Sequence, residues 1–153
     1  MDKKFDLSTF KHSIKERVKF HEVDMMGIVN NAVYLNYFED ARIKYFLDLK
    51  EKYKFSDFVE NDSFFIMARN EIDYLVSALF DDELTIYTKI DWIKTTSISF
   101  KHIIVNEKTE KTIAVGGGVV VHIKSSTKEK LNLPDSIIKA IQDFEGGVLK
   151  KKE

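Results

Sequence analysis

At 153 residues the chain fits one domain and leaves little room for two. Hydrophobic residues make up 44% and charged residues 32%, so a folded core can sit beneath a well-charged surface, and six Gly with one Pro exclude collagen-like or linker-like chains. The net charge of -1 lacks the basic excess of a dedicated nucleic-acid binder, and the absence of cysteine excludes disulfides, thiolate metal sites and a cysteine nucleophile.

The start, MDKKFDLSTFKHSIKERVKF, has no apolar run ahead of a small-residue cleavage site, and no segment approaches the roughly 18 apolar residues of a membrane span. The expected location is therefore cytoplasmic. No internal repeat or low-complexity block divides the chain, which predicts a single domain over 1–153 with its core at about 13–145.

After a mixed N-terminus, Ile14, Val18 and Phe20 alternate loosely with charges and predict a short first strand. Periodicity is then lost in FHEVDMMGIVNN, where Gly27 marks a turn. Residues 31–50 carry the strongest helix signal, with Val33, Tyr34, Tyr37, Phe38, Ala41, Tyr45 and Leu49 at spacings of three and four. Asn30 or Asn31 can cap its start. Leu35, Ile43, Phe46 and Leu47 widen the apolar arc, so this helix wants cover from a curved sheet or from a sheet plus a partner subunit. EKYKFSDFVENDS reads as a last turn of helix followed by a loop.

The period then changes to two. Residues 72–78, 84–92, 98–104 and 113–123 predict four strands, with FDDE and NEKTEK as turns, and their short connections predict an antiparallel meander. Ile137, Ile138, Ile141 and Phe144 predict a C-terminal helix with Pro134 in its first turn and Gly146-Gly147 at its end. The order describes an α+β domain on one antiparallel sheet.

Few residues offer chemistry. His12, His21, His102 and His122 never adopt a paired spacing on one helix, so no metal site is expected, and His102 and His122 read as ordinary strand residues. Gly116-Gly117-Gly118 lacks the Lys-Ser/Thr ending of a phosphate loop; it reads as a bend in a curved sheet, or as bare backbone against which a ligand or the long helix lies. Asp24 is different, because Val23, Met25, Met26, Ile28 and Val29 flank it, and an acid in an apolar loop is costly unless bonded or used. Asparagines and backbone N–H groups at the following helix start could stabilise an oxyanion opposite that carboxylate, which suits hydrolysis of an activated acyl group. Glu39 with Arg42, and Asp40 with Lys44, are ordinary helix pairs, with a partly buried Glu39–Arg42 network as the other reading.

The segment VKFHEVDMMGIVNNAVYLNYFEDARIKYF resembles the signature of hot-dog-fold acyl-CoA thioesterases of the 4-hydroxybenzoyl-CoA thioesterase type, through Phe20, Asp24, Gly27, Val29, Asn31, Tyr34, Tyr37, Phe38, Glu39, Ala41 and Arg42. The small residues at 114–118 and LPDSIIKAI are similar to the same family. The resemblance implies a curved antiparallel sheet wrapped around the long helix, homodimers or homotetramers, and active sites at a subunit interface. It also implies Asp24 as general base or nucleophile, Asn31 as an orienting residue, and the backbone of Gly27, Ile28, Val29 and Asn30 as an oxyanion hole. Many bacterial relatives carry histidine where this chain has Asn31, so a His-assisted step is not implied here. Tyr34, Tyr37, Phe38 and Glu39, with Phe64, Phe65 and Ile66, are candidate acyl contacts, and Lys101, Lys124 and Lys128 are candidate coenzyme A contacts. The implied substrate is an acyl-CoA, or an acyl group on an acyl carrier protein; coenzyme A is part of the substrate and no cofactor or metal is implied. The alternatives are a non-catalytic acyl-thioester-binding module and a hot-dog dehydratase or hydratase.

Overall fold

The computed structural model describes residues 5–56 and 62–151. In chain order it contains β1 (His12–Arg17), α1 (Val33–Tyr53), β2 (Ser63–Tyr74), β3 (Glu83–Ile93), β4 (Ser97–Asn106), β5 (Thr112–Lys124), α2 (Asp135–Glu145) and β6 (Leu149–Lys150). Five antiparallel strands lie in the order β1-β3-β4-β5-β2, and the two-residue β6 adds a short parallel pairing to β3.

The expected elements are present, with shifted ends. The strand read at residues 72–78 runs instead over Ser63–Tyr74, and residues 57–61 of the expected loop lie outside the described residues. The meander holds for β3-β4-β5 but not for β2, which pairs with β5 across the sheet and not with β3. The reason lies in residues 75–82, which do not form a hairpin. They cross the start of α1, where the Ala78 N–H donates to the Tyr34 hydroxyl at 3.1 Å and the Ala78 carbonyl accepts from the Val29 N–H at 2.9 Å. The turn at FDDE closes this crossing, with Asp81 at a φ of 67° and the Asp82 carboxylate accepting from the Leu79 N–H.

The sheet holds α1 through two clusters. Tyr34, Tyr37, Phe38 and Ala41 pack on Leu84, Ile86, Ile104 and Ala114, while Tyr45 and Leu49 pack on Ile90, Ile98, Phe100 and Val120. The second cluster is closed by Ile137, Ala140 and Ile141 of α2. At the end of α2, Glu145 accepts from the Tyr45 hydroxyl at 2.6 Å and from the Ile90 N–H at 3.1 Å, beside the register slip in β3. The opposite side of α1 stays open in the single chain, where Ile43 and Leu47 are about half exposed.

The three glycines of β5 let neighbouring strands come close, and Gly116 also faces the helix. Pairing runs through them without a slip; the irregularity is on β2, between Met67 and Arg69. A Cβ on Gly116 would stand 3.0 Å from Cε2 of Phe38, and one on Gly117 would collide with the Phe100 carbonyl oxygen. Bare backbone therefore serves strand and helix contact. Above it, Phe38 stacks on His102 at a centroid distance of 4.6 Å, and His102 lies parallel to Phe100.

His102 is fully buried; its Nδ1 lies 2.9 Å from the Thr88 hydroxyl and its Nε2 has no hydrogen-bond partner. Burial first, and the Arg42 charge second, pull its pKa down to about 3. His12 instead meets Asp48, which also pairs with Lys44 one turn earlier on α1.

This packing can be tested at the glycines and at His102. Gly117→Ala pushes a methyl group into a backbone carbonyl that cannot rotate away and should cost about 3 kcal/mol. Gly27→Ala meets open space and only the strain of its positive φ, about 1–2 kcal/mol. Urea unfolding at constant m-value compares them; equal losses would contradict the close-approach reading. For His102, the folded value lies below that of the unfolded chain, so unfolding takes up a proton between about pH 3 and 6.5. Its contribution to stability is complete above pH 6.5 and shrinks as pH falls through that window. Between pH 5 and 6.5 the wild-type protein should lose stability more steeply than His102→Gln, measured by denaturation midpoints.

Candidate active site

The segment from Glu22 to Asn30 folds as a narrow hairpin. The Asp24 N–H donates to the Ile28 carbonyl at 2.9 Å, the Asn30 N–H to the Glu22 carbonyl at 2.9 Å, and the Gly27 N–H to the Asp24 carbonyl at 3.0 Å. Gly27 closes the turn at a φ of 78°, a conformation in which a side chain is strained. The second arm also pairs with the crossing segment, through Val29 to Ala78 and Phe80 to Gly27. The loop is thus the middle of a small three-stranded patch, fixed by backbone bonds on both sides.

At its tip Asp24 is exposed, and its carboxylate accepts from the Met26 N–H at 2.8 Å. One bond from an adjacent turn leaves most of the acceptor capacity of this carboxylate open. Met25 and Met26 beside it are largely exposed, so the apolar flank of Asp24 is an apolar rim around an accessible acid and not a burying shell.

Glu22, two residues earlier, has the opposite environment. Its side chain is buried and accepts from the Tyr37 hydroxyl at 3.0 Å and from the Lys19 N–H at 2.8 Å. This staple joins the hairpin to the second turn of α1. Burial, and then the bond to Glu22, raise the Tyr37 pKa far above its ordinary value, so the hydroxyl stays a donor. Nearby, burial raises the pKa of Glu16, assisted by Asp40 and Glu22. The structural weight of Glu22 was hidden in the sequence because only the fold brings Tyr37 over it.

The oxyanion candidates divide. The N–H groups of Gly27, Val29 and Asn30 are already spent on backbone acceptors, which corrects the expectation that the whole run is available. Among the described residues, the N–H groups of Ile28 and Asn31 have no such partner. Asn31 is exposed, and its carbonyl accepts from the Tyr74 hydroxyl at 3.0 Å. The helix N-cap is Ala32 and makes no side-chain cap; Asn30 instead receives the Ala32 N–H on its Oδ1 and the Val33 N–H on its carbonyl.

The aromatic candidates are also redistributed. Tyr37 and Phe38 are core residues, 1% and 0% exposed, so they support α1 and do not line an open channel. Tyr34 is likewise buried, and its edge borders a small cavity of about 100 Å³ shared with Asn31 and Tyr74. Glu39 lies at the border of a cavity of about 410 Å³ between the open side of α1 and the sheet; Phe65 lines it as well. Phe64 instead packs under Lys128, and Ile66 is exposed on the edge strand β2.

The three lysines do not converge. Lys101 is exposed and borders a separate cavity with Glu71, Asp73 and Asp91. Lys124 pairs with Ser63 at one end of the β2–β5 ladder, and Lys128 donates to the Ser125 carbonyl beyond it. The hairpin adjoins the opposite end, where Tyr74 pairs with Ala114, roughly 33 Å away at 3.3 Å per residue. Lys124 and Lys128 therefore cannot share a compact site with Asp24 of the same chain. No group of three metal-binding side chains occurs among the described residues.

Comparison with known proteins matches this architecture. Residues 18–141 match the model of the Thioesterase-like superfamily. An acyl-CoA thioester hydrolase, YbgC, of Escherichia coli O6:H1 is 30% identical over 125 residues, covering 80% of this chain and 89% of that protein. The crystal structure of a thioesterase from Thermus thermophilus, complexed with coenzyme A and Zn, superposes with a TM-score of 0.77 at 31% identity, covering 93% of this chain and 99% of that one. A DHNA-CoA thioesterase from Staphylococcus aureus shares the fold at a TM-score of 0.75 and 20% identity, over 90% of this chain and 96% of that one. A sheet of five antiparallel strands curved against one long helix, with an acidic hairpin leading into that helix, is the hot-dog arrangement, and the chain belongs to the Thioesterase-like superfamily.

Proposed function

We propose that the protein hydrolyses the thioester of an acyl-CoA to a free carboxylic acid and coenzyme A. The observation that carries this reading is the accessible Asp24 carboxylate on a backbone-pinned turn, in a chain of the thioesterase superfamily. Asp24 either takes a proton from water as that water attacks the carbonyl carbon, or attacks the carbon itself to form an anhydride that water then opens. In both routes the C–S bond breaks and coenzyme A leaves as the thiol; in the general-base route the new oxygen of the acid comes directly from water, whereas in the anhydride route water adding at the Asp24 carbon leaves its oxygen in that carboxylate and the acid takes an oxygen of Asp24. The unspent N–H groups of Ile28 and Asn31 are the proposed donors to the developing oxyanion, and the Asn31 side chain orients the reacting group. Coenzyme A enters as part of the substrate, and the chemistry uses no further cofactor. An acyl carrier protein presenting the same thioester is a second proposed donor, and the proposed compartment is the cytoplasm.

The working unit is proposed to be a dimer or a pair of dimers. β2 is a 12-residue strand at the sheet edge, with no further strand beside it among the described residues and with Ile66 and Tyr74 exposed. Pairing with a second copy satisfies that edge. It is also the means by which Lys124 or Lys128 could meet coenzyme A bound at Asp24 of another chain, given their separation within one.

Asp24→Asn should lower kcat for the best acyl-CoA by at least about 10²-fold with assembly intact, the size of a lost general base, and by more for a lost nucleophile. Asn31→Ala should cost roughly 10-fold through orientation alone. Single-turnover hydrolysis in ¹⁸O-water separates the routes, because label in the Asp24 carboxylate marks attack by the side chain. Wild-type turnover by Asp24→Asn would end the assignment. Light scattering should give a mass of two or four chains, and a strict monomer would contradict the pairing along β2.

A further inference from the structure

Arg42 is the polar anomaly of the cavity of about 410 Å³ beside α1. It projects from α1 and is only 9% exposed, yet among the described residues it makes no hydrogen bond, no ion pair within 4 Å and no ring contact. Its neighbour Glu39 acts on it through space without a direct bond, and desolvation lowers the Arg42 pKa despite that acid. A guanidinium carries five N–H donors, and because its nitrogens are not among the sealed, partnerless polar atoms of the described residues, the fork opens into the cavity with no protein acceptor across from it. Among the described residues the cavity wall is largely apolar, formed by residues such as Phe46, Leu47, Phe65, Met67 and Val120.

An apolar cavity of this size with one unmet, forked donor fits an apolar ligand that ends in an anion. Carboxylate and phosphate both match the fork in a bidentate manner. The phosphates of coenzyme A carry more charge and more water, and losing that hydration against five apolar side chains disfavours them here. We propose that this cavity receives the acyl part of the substrate and that Arg42 binds a carboxylate at its far end, so that the preferred substrates are half-thioesters of dicarboxylic acids. The inference rests on the hydrolase reading for the identity of the thioester, but the binding site itself is testable without turnover.

The probes are stable thioethers of coenzyme A, carrying either a plain alkyl chain or an ω-carboxyalkyl chain, in matched lengths from four to twelve carbons. Titration calorimetry should show the carboxylated member binding at least 10-fold tighter at one or more lengths. Arg42→Met should bring that ratio close to one, and Arg42→Lys should leave it in between because the charge remains while the fork is lost. Equal binding of both series to the wild-type protein overturns the proposal, and needs no variant to fold. If Arg42→Met instead weakens both series alike, and the effect vanishes with dephospho-coenzyme A analogues, Arg42 holds the coenzyme phosphate and the assignment to the acyl end is wrong. Tight, Arg42-dependent binding of the carboxylated thioethers without hydrolysis of the corresponding thioesters would uphold the site and refute the hydrolase reading. Hydrolysis of neutral acyl-CoAs with no carboxylate preference would do the reverse.

Discussion

The contact on which the rest of the molecule depends is the close packing around a stretch of β5 that carries no side chains, where neighbouring strands and, at Gly116, α1 draw in. Gly116 and Gly118 leave room for Phe38 and Met67, and Gly117 lets β4 and β5 come together with no Cβ between them. Phe38 can then lie flat on His102, Tyr34 and Tyr37 fall into line behind it, and the start of the helix is carried to the crossing segment. Because buried cores are packed as densely as crystals, such a contact sets position and not just affinity between elements. The hairpin bearing Asp24 inherits its place from that contact through Tyr37 and Glu22.

The molecule separates two kinds of acid by environment. Glu22 is buried, doubly bonded and committed to holding backbone; Asp24 is two residues away, exposed, and bonded only to its own turn. Alternation in a hairpin accounts for part of this, since residues two apart share a side of the strand and only the curl at Gly27 carries one of them clear of the helix. The division is also chemical. A carboxylate that must accept bonds to keep a loop in place is a poor choice to exchange protons with water, and Glu22 is the one so occupied while Asp24 is left accessible.

Much of this is legible in the residues alone. The long helix, the four later strands and the capped C-terminal helix all follow from periodicity, because their buried faces are continuous: Leu84, Ile86 and Ile90 on β3 keep step through almost the whole strand. The start of β2 was not legible, since Ser63–Asn70 alternates weakly along an edge exposed on one side. Nor was its partner, because strand order depends on where residues 75–82 travel, and that is decided by Tyr34 and Val29 from another part of the chain. Asp24, Gly27 and Asn31 could be named as candidates from composition and family likeness. That Gly27, Val29 and Asn30 had spent their N–H groups could not, because the acceptors on Asp24, Ala78 and Glu22 appear only once the hairpin closes. Tyr37 and Phe38 were misleading for a simple reason: an aromatic on a helix looks alike in sequence whether it faces a ligand or a sheet.

The pairing between the hairpin and residues 78–80 has a consequence for how this domain can change over time. The hairpin precedes α1 and the crossing segment follows β2, yet they share hydrogen bonds in fixed register. A one-residue insertion in either would slide donors off their acceptors in the other, so neither length can drift alone. Met25 and Met26 sit outside that ladder with their side chains in water, and their identity is free where their number is not. Diversification around Asp24 should therefore proceed by exchange of side chains at a loop of constant length, a pattern of substitution without gaps that loops elsewhere on the surface need not obey.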